Sequence, residues 1–87
     1  MKLFNKNSKE VKVEGIDLEN IDLTTTDYTK KSNESHFQLL IGGEGNVKLT
    51  TLAGTTITVT LPAGYNPIAC TKVFKTDTTA TGLVAIY

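Results

Sequence analysis

Apolar and polar positions alternate with a period of two over much of the chain, the repeat of a strand with one face buried. The clearest case is Thr56 to Leu61, where Ile57, Val59 and Leu61 fall on one side and Thr56, Thr58 and Thr60 on the other. Phe37, Leu39 and Ile41 alternate with His36, Gln38 and Leu40, which predicts a strand over 36–41. Val47 to Leu52 predicts the next, with Val47 and Leu49 inward and Lys48 and Thr50 outward. Ile68 to Lys75 predicts a fourth, with Cys70 and Phe74 on one face and Ala69, Thr71 and Val73 on the other. Leu83 to Tyr87 predicts a fifth that is apolar on both faces.

Turn residues punctuate these runs. Gly42-Gly-Glu-Gly-Asn46 predicts a glycine-rich hairpin loop, and Ala53-Gly54 a tight turn. Pro62-Ala-Gly-Tyr-Asn-Pro67 predicts a corner in which Gly64 takes the positive φ of a sharp reversal, and Asp77 caps the turn before the last strand. No window carries a helical stripe. Ile16, Leu18, Ile21 and Leu23 would scatter around a helix that turns 100° per residue, and two copies of their five-residue offset are too few to stack a solenoid. The expected fold class is therefore all-β: a small antiparallel β-sandwich or barrel of about five to six strands with an extended N-terminal arm.

Charge marks the expected division. Residues 1–35 hold six Lys and seven Asp or Glu, whereas residues 36–87 hold three and two. The change near Ser32-Asn-Glu-Ser35 predicts an arm over 1–35 and a compact antiparallel module over 36–87. Val11-Lys-Val13 alternates as a short strand within the arm. Ile16, Leu18, Ile21 and Leu23 read as anchors of an extended segment lying in a groove of its own subunit or of a neighbour. A β unit of this size, with no Trp and a single Cys, has little but association to add to its own core, which points to a homo-oligomer or a larger assembly. An exposed final strand with two apolar faces would be an edge open to aggregation, which argues the same way.

Composition narrows the function classes. The formal charge is balanced and every basic residue is Lys, so the guanidinium that reads phosphates and guanine edges is missing and nucleic acid is not an expected partner. Met1 to Lys6 does not resemble a signal peptide, and no apolar run approaches the ~20 residues of a membrane span, so no membrane partner is expected. One cysteine forms no internal disulfide, and one histidine builds no multi-histidine metal site.

The candidates for chemistry have plainer explanations. Cys70 and His36 both lie in expected strands, with no activating turn at the cysteine, so Cys70 reads as a small buried thiol and no catalytic residue is assigned. A small hydrolase acting through Cys70 is the weakest alternative. Gly42-Gly-Glu-Gly45 is followed by a strand, not by the helix N-terminus a phosphate cradle uses, so no cofactor is expected there. Asp17, Glu19 and Asp22 lack the spacing and glycine of a calcium loop, so no metal is expected. Tyr65, on its proline-framed corner, and Tyr87 are the aromatic candidates for partner contact, because amphipathic rings favour interfaces. With the four arm anchors they make up the expected partner-binding set.

Gly42-Gly-Glu-Gly-Asn-Val-Lys-Leu-Thr-Thr51, Ala53-Gly-Thr-Thr-Ile-Thr-Val59, Leu61-Pro-Ala-Gly64, Asn66-Pro-Ile-Ala-Cys-Thr-Lys-Val73 and Thr78-Thr-Ala-Thr-Gly-Leu-Val-Ala-Ile-Tyr87 together resemble a family of small tailed-phage virion proteins. That family includes the head spike base proteins of gene transfer agents and related phages. The resemblance covers about residues 36–87, and the Thr-Thr-Ala-Thr-Gly segment is its most specific part. It implies a non-enzymatic capsid decoration or head-spike base subunit on the virion surface, made in the cytoplasm of the bacterial host. The implied partners are its own copies, the major capsid protein, and a spike or fibre protein. The alternative is an adhesion or carbohydrate-binding β module of a tail fibre or cell-surface protein, against which the lack of Trp argues.

Overall fold

The computed structural model describes residues 17–87, so the short strand expected at Val11–Val13 and the anchor Ile16 lie outside the described residues. The fold is all-β, with no helix among the described residues. Seven strands form one antiparallel sheet: β1 Leu18–Asn20, β2 Tyr28–Thr29, β3 Phe37–Gly43, β4 Gly45–Thr51, β5 Thr56–Leu61, β6 Gly64–Val73 and β7 Thr81–Ile86. Their spatial order is β1-β7-β3-β6-β4-β5, with β2 paired to the far end of β6.

The sheet curls back on itself. β4 pairs with β6 through Leu49 to Thr51, and at its other end the Asn46 carbonyl accepts the N–H groups of Thr79 (2.8 Å) and Ala80 (3.1 Å). Residues 78–80 lead directly into β7, which pairs with β3, which pairs with β6. The circuit β4-β6-β3-β7 is thus completed by loop bonds, giving a small barrel with β1 and β5 on its outside. Its interior is a single apolar cluster: Phe37, Leu39 and Ile41 from β3, Val47 and Leu49 from β4, Leu61, Cys70, Val73, Leu83 and Ala85, with Ile21 and Ala80 from the connections.

The glycine-rich stretch departs from expectation. β3 and β4 are separated only by Glu44 and do not pair with each other, so Gly42–Asn46 is a corner carrying the chain from one side of the barrel to the other, not a hairpin. Its glycines are there for close approach. A Cβ on Gly45 would lie 2.7 Å from the Ala80 nitrogen and 2.8 Å from its Cα, and one on Gly42 would lie 3.3 Å from the Gly82 Cα. The segment Thr79–Gly82 occupies the space in which side chains would stand.

β6 is the second departure. Phe37 lies opposite Cys70 and Leu39 opposite Asn66, so β6 takes four residue steps where β3 takes two. Pro67 falls inside that bulge, where a missing N–H costs no ladder bond. Against β4, Thr50 faces Lys72 and Thr51 faces Cys70, which leaves Thr71 as an extra residue. These insertions reset the alternation, so Cys70 and Val73 are both fully buried instead of facing opposite ways. Asn66, buried at the corner, donates from Nδ2 to the carbonyls of Pro62 and Gly64, both at 3.1 Å.

The two reversals fall where the sequence puts them. Gly54 has φ 96° in the turn where Thr51 N–H donates to Thr55 O, and Gly64 has φ 105°. Asp77 takes φ 68°, the left-handed conformation a short polar side chain tolerates, while the adjacent Thr78 Oγ1 donates to the Phe74 carbonyl at 2.6 Å. β5 alternates as expected, but only Leu61 of its apolar side is buried; Ile57 is 47% exposed because the strand overhangs the end of the core.

Gly45→Ala and Gly54→Ala separate the two uses of glycine. The first overpacks a backbone crossing and should lower stability by about 1–3 kcal/mol. The second meets open space and should cost only about 1 kcal/mol through its positive φ. A larger loss of urea midpoint for Gly54→Ala than for Gly45→Ala would contradict this account of the corner.

Candidate functional site

The last strand lies between two others. β7 pairs with β3 on one edge and with β1 on the other, where Leu18 faces Ile86 and Asn20 faces Val84. The β1 ladder is extended by Tyr87 N–H donating to Asp17 O (2.8 Å) and Ile21 N–H donating to Leu83 O (3.0 Å). Leu83 and Ala85 point into the barrel; Val84 and Ile86 point out and are half-buried.

Following the register across the outer surface gives two rows. Leu18, Ile86 and Gln38 lie side by side, and above them Asn20, Val84, Leu40 and Tyr65. Leu18 and Tyr65 are each 57% exposed and Leu40 is 37% exposed. The Tyr65 hydroxyl donates diagonally to Gln38 Oε1 at 2.7 Å, which holds its ring along the sheet. Five apolar side chains on four adjacent strands, with two uncharged amides and no charge in the rows, make an uncharged, largely apolar outer face. Such faces mark contacts with other macromolecules.

The residues expected to bind partners divide between this face and the interior. Leu18 and Tyr65 are on the face. Ile21 is in the core cluster, and Leu23 packs half-buried against it. The Tyr87 ring packs on Phe37 (centroids 5.8 Å apart), while Tyr28 meets the same ring edge-on at 5.2 Å. The structure therefore brings Leu18 and Tyr65 together with Leu40, Val84 and Ile86, and sets Ile21, Leu23 and Tyr87 to hold residues 17–31 against the barrel. Leu40, missed as a site residue, had a signal: it is the one large apolar side chain in the polar phase of its strand.

A polar latch surrounds Tyr87. Tyr28 Oη lies 2.5 Å from Glu19 Oε1 and 2.6 Å from Tyr87 Oη, and Lys31 N–H donates to Tyr87 Oη at 3.1 Å. Lys31 Nζ pairs with Asp17 Oδ2 at 2.5 Å and stands 4.8 Å over the Tyr87 ring. Hydrogen bonding and the charge of Lys31 hold the exposed Asp17 carboxyl below its ordinary range. Burial, then the bonds to Glu19 and Tyr87, push the Tyr28 phenol upward. Asp17, Glu19 and Asp22, the acidic set weighed as a calcium site, point to separate partners: Asp17 to Lys31, Glu19 to Tyr28, and Asp22 to the Thr24 N–H and hydroxyl. Among the described residues no three His, Cys, Asp or Glu side chains converge.

Cys70 is inside the core, donates to the Ile68 carbonyl at 3.3 Å, and has its thiol pushed up to about 11 by burial, so it stays a thiol at neutral pH. His36 Nδ1 is 2.7 Å from the Ser35 hydroxyl. The amide of Asn46, at the glycine corner, donates to Thr79 Oγ1 and is not free for a phosphate. No protein-family model matches the chain, and neither a curated protein nor a solved structure does. The family resemblance accordingly rests on the residues quoted for it.

The latch has a signed pH dependence. A phenol whose folded pKa is raised stabilises the fold fully below the unfolded value near 10, and that contribution declines as pH rises beyond it. Tyr28→Phe should therefore be less stable at pH 7 yet lose stability less steeply above pH 10. Parallel denaturation curves for the two proteins from pH 7 to 11, with equal slopes against pH, would rule the latch out.

Proposed function

We propose that this chain is a structural subunit of a tailed-phage virion, a capsid decoration or head-spike base protein. In this reading it associates with its own copies, binds the major capsid protein, and carries a spike or fibre protein. The observation that carries it is the uncharged outer face of Leu18, Leu40, Tyr65, Val84 and Ile86. A decoration subunit acts by contact area and needs a rigid wall, not a reactive group. A face built on four hydrogen-bonded strands is such a wall, because its side chains need little ordering when a partner covers it. The resemblance over 36–87 supplies the virion context, and the subunit reading assigns no residue a catalytic role.

Sedimentation with heads of the phage that encodes the chain tests the proposal. Wild-type protein should co-sediment with heads lacking it. Leu40→Glu and Leu18→Glu change exposed positions and should shift stability by no more than about 1 kcal/mol. Each should weaken capture at least about 30-fold, as expected for ~2 kcal/mol at an interface centre. Equal capture of wild type and both variants would remove the outer face from the contact. Reproducible glycan binding on an array, with no capture by heads, would replace the virion reading by that of an adhesion module.

A further inference from the structure

β5 and β1 are the two end strands of the main run of the sheet, and among the described residues β5 pairs only with β4. The direction of its peptide groups follows from the neighbouring bonds. Thr51 N–H donates to Thr55 O at 2.8 Å, so the hydrogen-bonded positions of the β4–β5 ladder are Leu49–Ile57, Val47–Val59 and Gly45–Leu61. The opposite edge of β4 agrees, since the carbonyls of Asn46 and Lys48 are taken by Thr79, Ala80 and Phe74. Thr56, Thr58 and Thr60 therefore turn their N–H and C=O groups away from β4, toward the open edge.

That edge lacks the usual protection. β5 contains no Pro and no Lys, its ladder with β4 runs without a bulge, and no charged residue occurs between Leu49 and Thr71. Edges of this composition pair with further strands. Thr56-Ile-Thr-Val-Thr60 is also chemically symmetric about Thr58. Paired antiparallel about Thr58, two copies of this strand set Thr opposite Thr and Ile opposite Val, so each offers the other a matching polar and apolar face, with no charge to oppose the contact.

We propose that β5 is completed by β5 of a second copy of this chain, antiparallel, with the two-fold axis at Thr58. Thr58 then lies opposite Thr58 of the second copy and Thr56 opposite its Thr60, so every outward peptide group of these three residues is paired. Ile57 lies opposite Val59 of the second copy at a non-hydrogen-bonded position, where Cα atoms approach to about 4.5 Å. The exposed Ile57 is covered, and the row Val47–Val59, Leu49–Ile57 continues across the seam into the second barrel. With no charge on either strand, nothing repels the approach. The pairing does not depend on the virion reading and leaves the outer apolar face open.

Sedimentation equilibrium and NMR amide exchange on the full chain test it. The wild type should be a dimer whose Thr56, Thr58 and Thr60 amides are protected, with protection falling on dilution. Thr58→Lys alters an exposed side chain and sets two ammonium groups across the axis; it should dissociate the dimer at least tenfold more readily, with the wild-type melting temperature when both proteins are diluted to monomer. Thr58→Pro removes the central donor and should do the same. Leu40→Glu should remain dimeric, which separates this contact from any loss of head binding. A wild type monomeric at all concentrations would overturn the proposal. So would protected edge amides in a monomer, or a Thr58→Lys dimer as tight as the wild type.

Discussion

The backbone crossing of Gly42–Gly45 with Thr79–Gly82 is the constraint on which the rest of the barrel depends. Gly42 and Gly82 lie against each other so closely that a Cβ on either would press to 3.2–3.3 Å from the other's Cα, and Gly82 holds a φ of 63°. The crossing lets residues 78–80 reach the free edge of β4 while β7 continues along β3. That contact completes the circuit of strands. It also sets the phase of β7, since Gly43 faces Thr81 and Ile41 faces Leu83. Leu83 and Ala85 are thereby committed to the core, and Val84 and Ile86 to the outer surface.

Phe37 transmits this arrangement to the segment expected as an arm. It is fully buried, and Tyr28 and Tyr87, whose hydroxyls meet at 2.6 Å, both pack against its ring. Tyr87 follows β7, and Tyr28 forms β2 on the end of β6, so one side chain couples the end of the barrel circuit to residues 17–31. The ion pair of Asp17 with Lys31 is exposed and adds little by itself. The latch holds because the polar groups join two half-buried tyrosines that pack on the fully buried Phe37.

Strand existence and strand faces were legible in β3, β4 and β5, because period-two alternation is a local property. Pairing was not. Gly42–Asn46 reads as a hairpin because glycine between two strands has two meanings, a reversal or a close approach, and only the distant Thr79–Gly82 decides between them. The faces of β6 were misread because a bulge adds residues without altering composition, so Cys70 and Val73 look opposed when both are inward. Of the candidate site, Tyr65 was legible from its corner. The meeting of Leu18 with Ile86, and of Val84 with Leu40 and Tyr65, needed the register of four strands.

The two outer walls of the barrel differ in a way that folding alone does not require. On β4 and β5 the outward positions are Asn46, Lys48, Thr50, Thr56, Thr58 and Thr60, joined by hydrogen bonds from Thr60 to Asn46 and between Thr50 and Thr56. Threonine serves a strand well there and leaves the wall wet. The same choice was open at positions 18, 40, 84 and 86, which are equally outward, and the chain carries Leu, Leu, Val and Ile instead. Strand propensity accounts for Val and Ile but not for two leucines at exposed positions, and the barrel interior does not need them. The apolar wall is thus the surface on which the proposed virion contact rests, while the threonine-rich wall ends at the β5 edge, whose outward groups are in the backbone. Under the two proposals the barrel associates through two distinct surfaces, one made by side chains and the other by peptide groups.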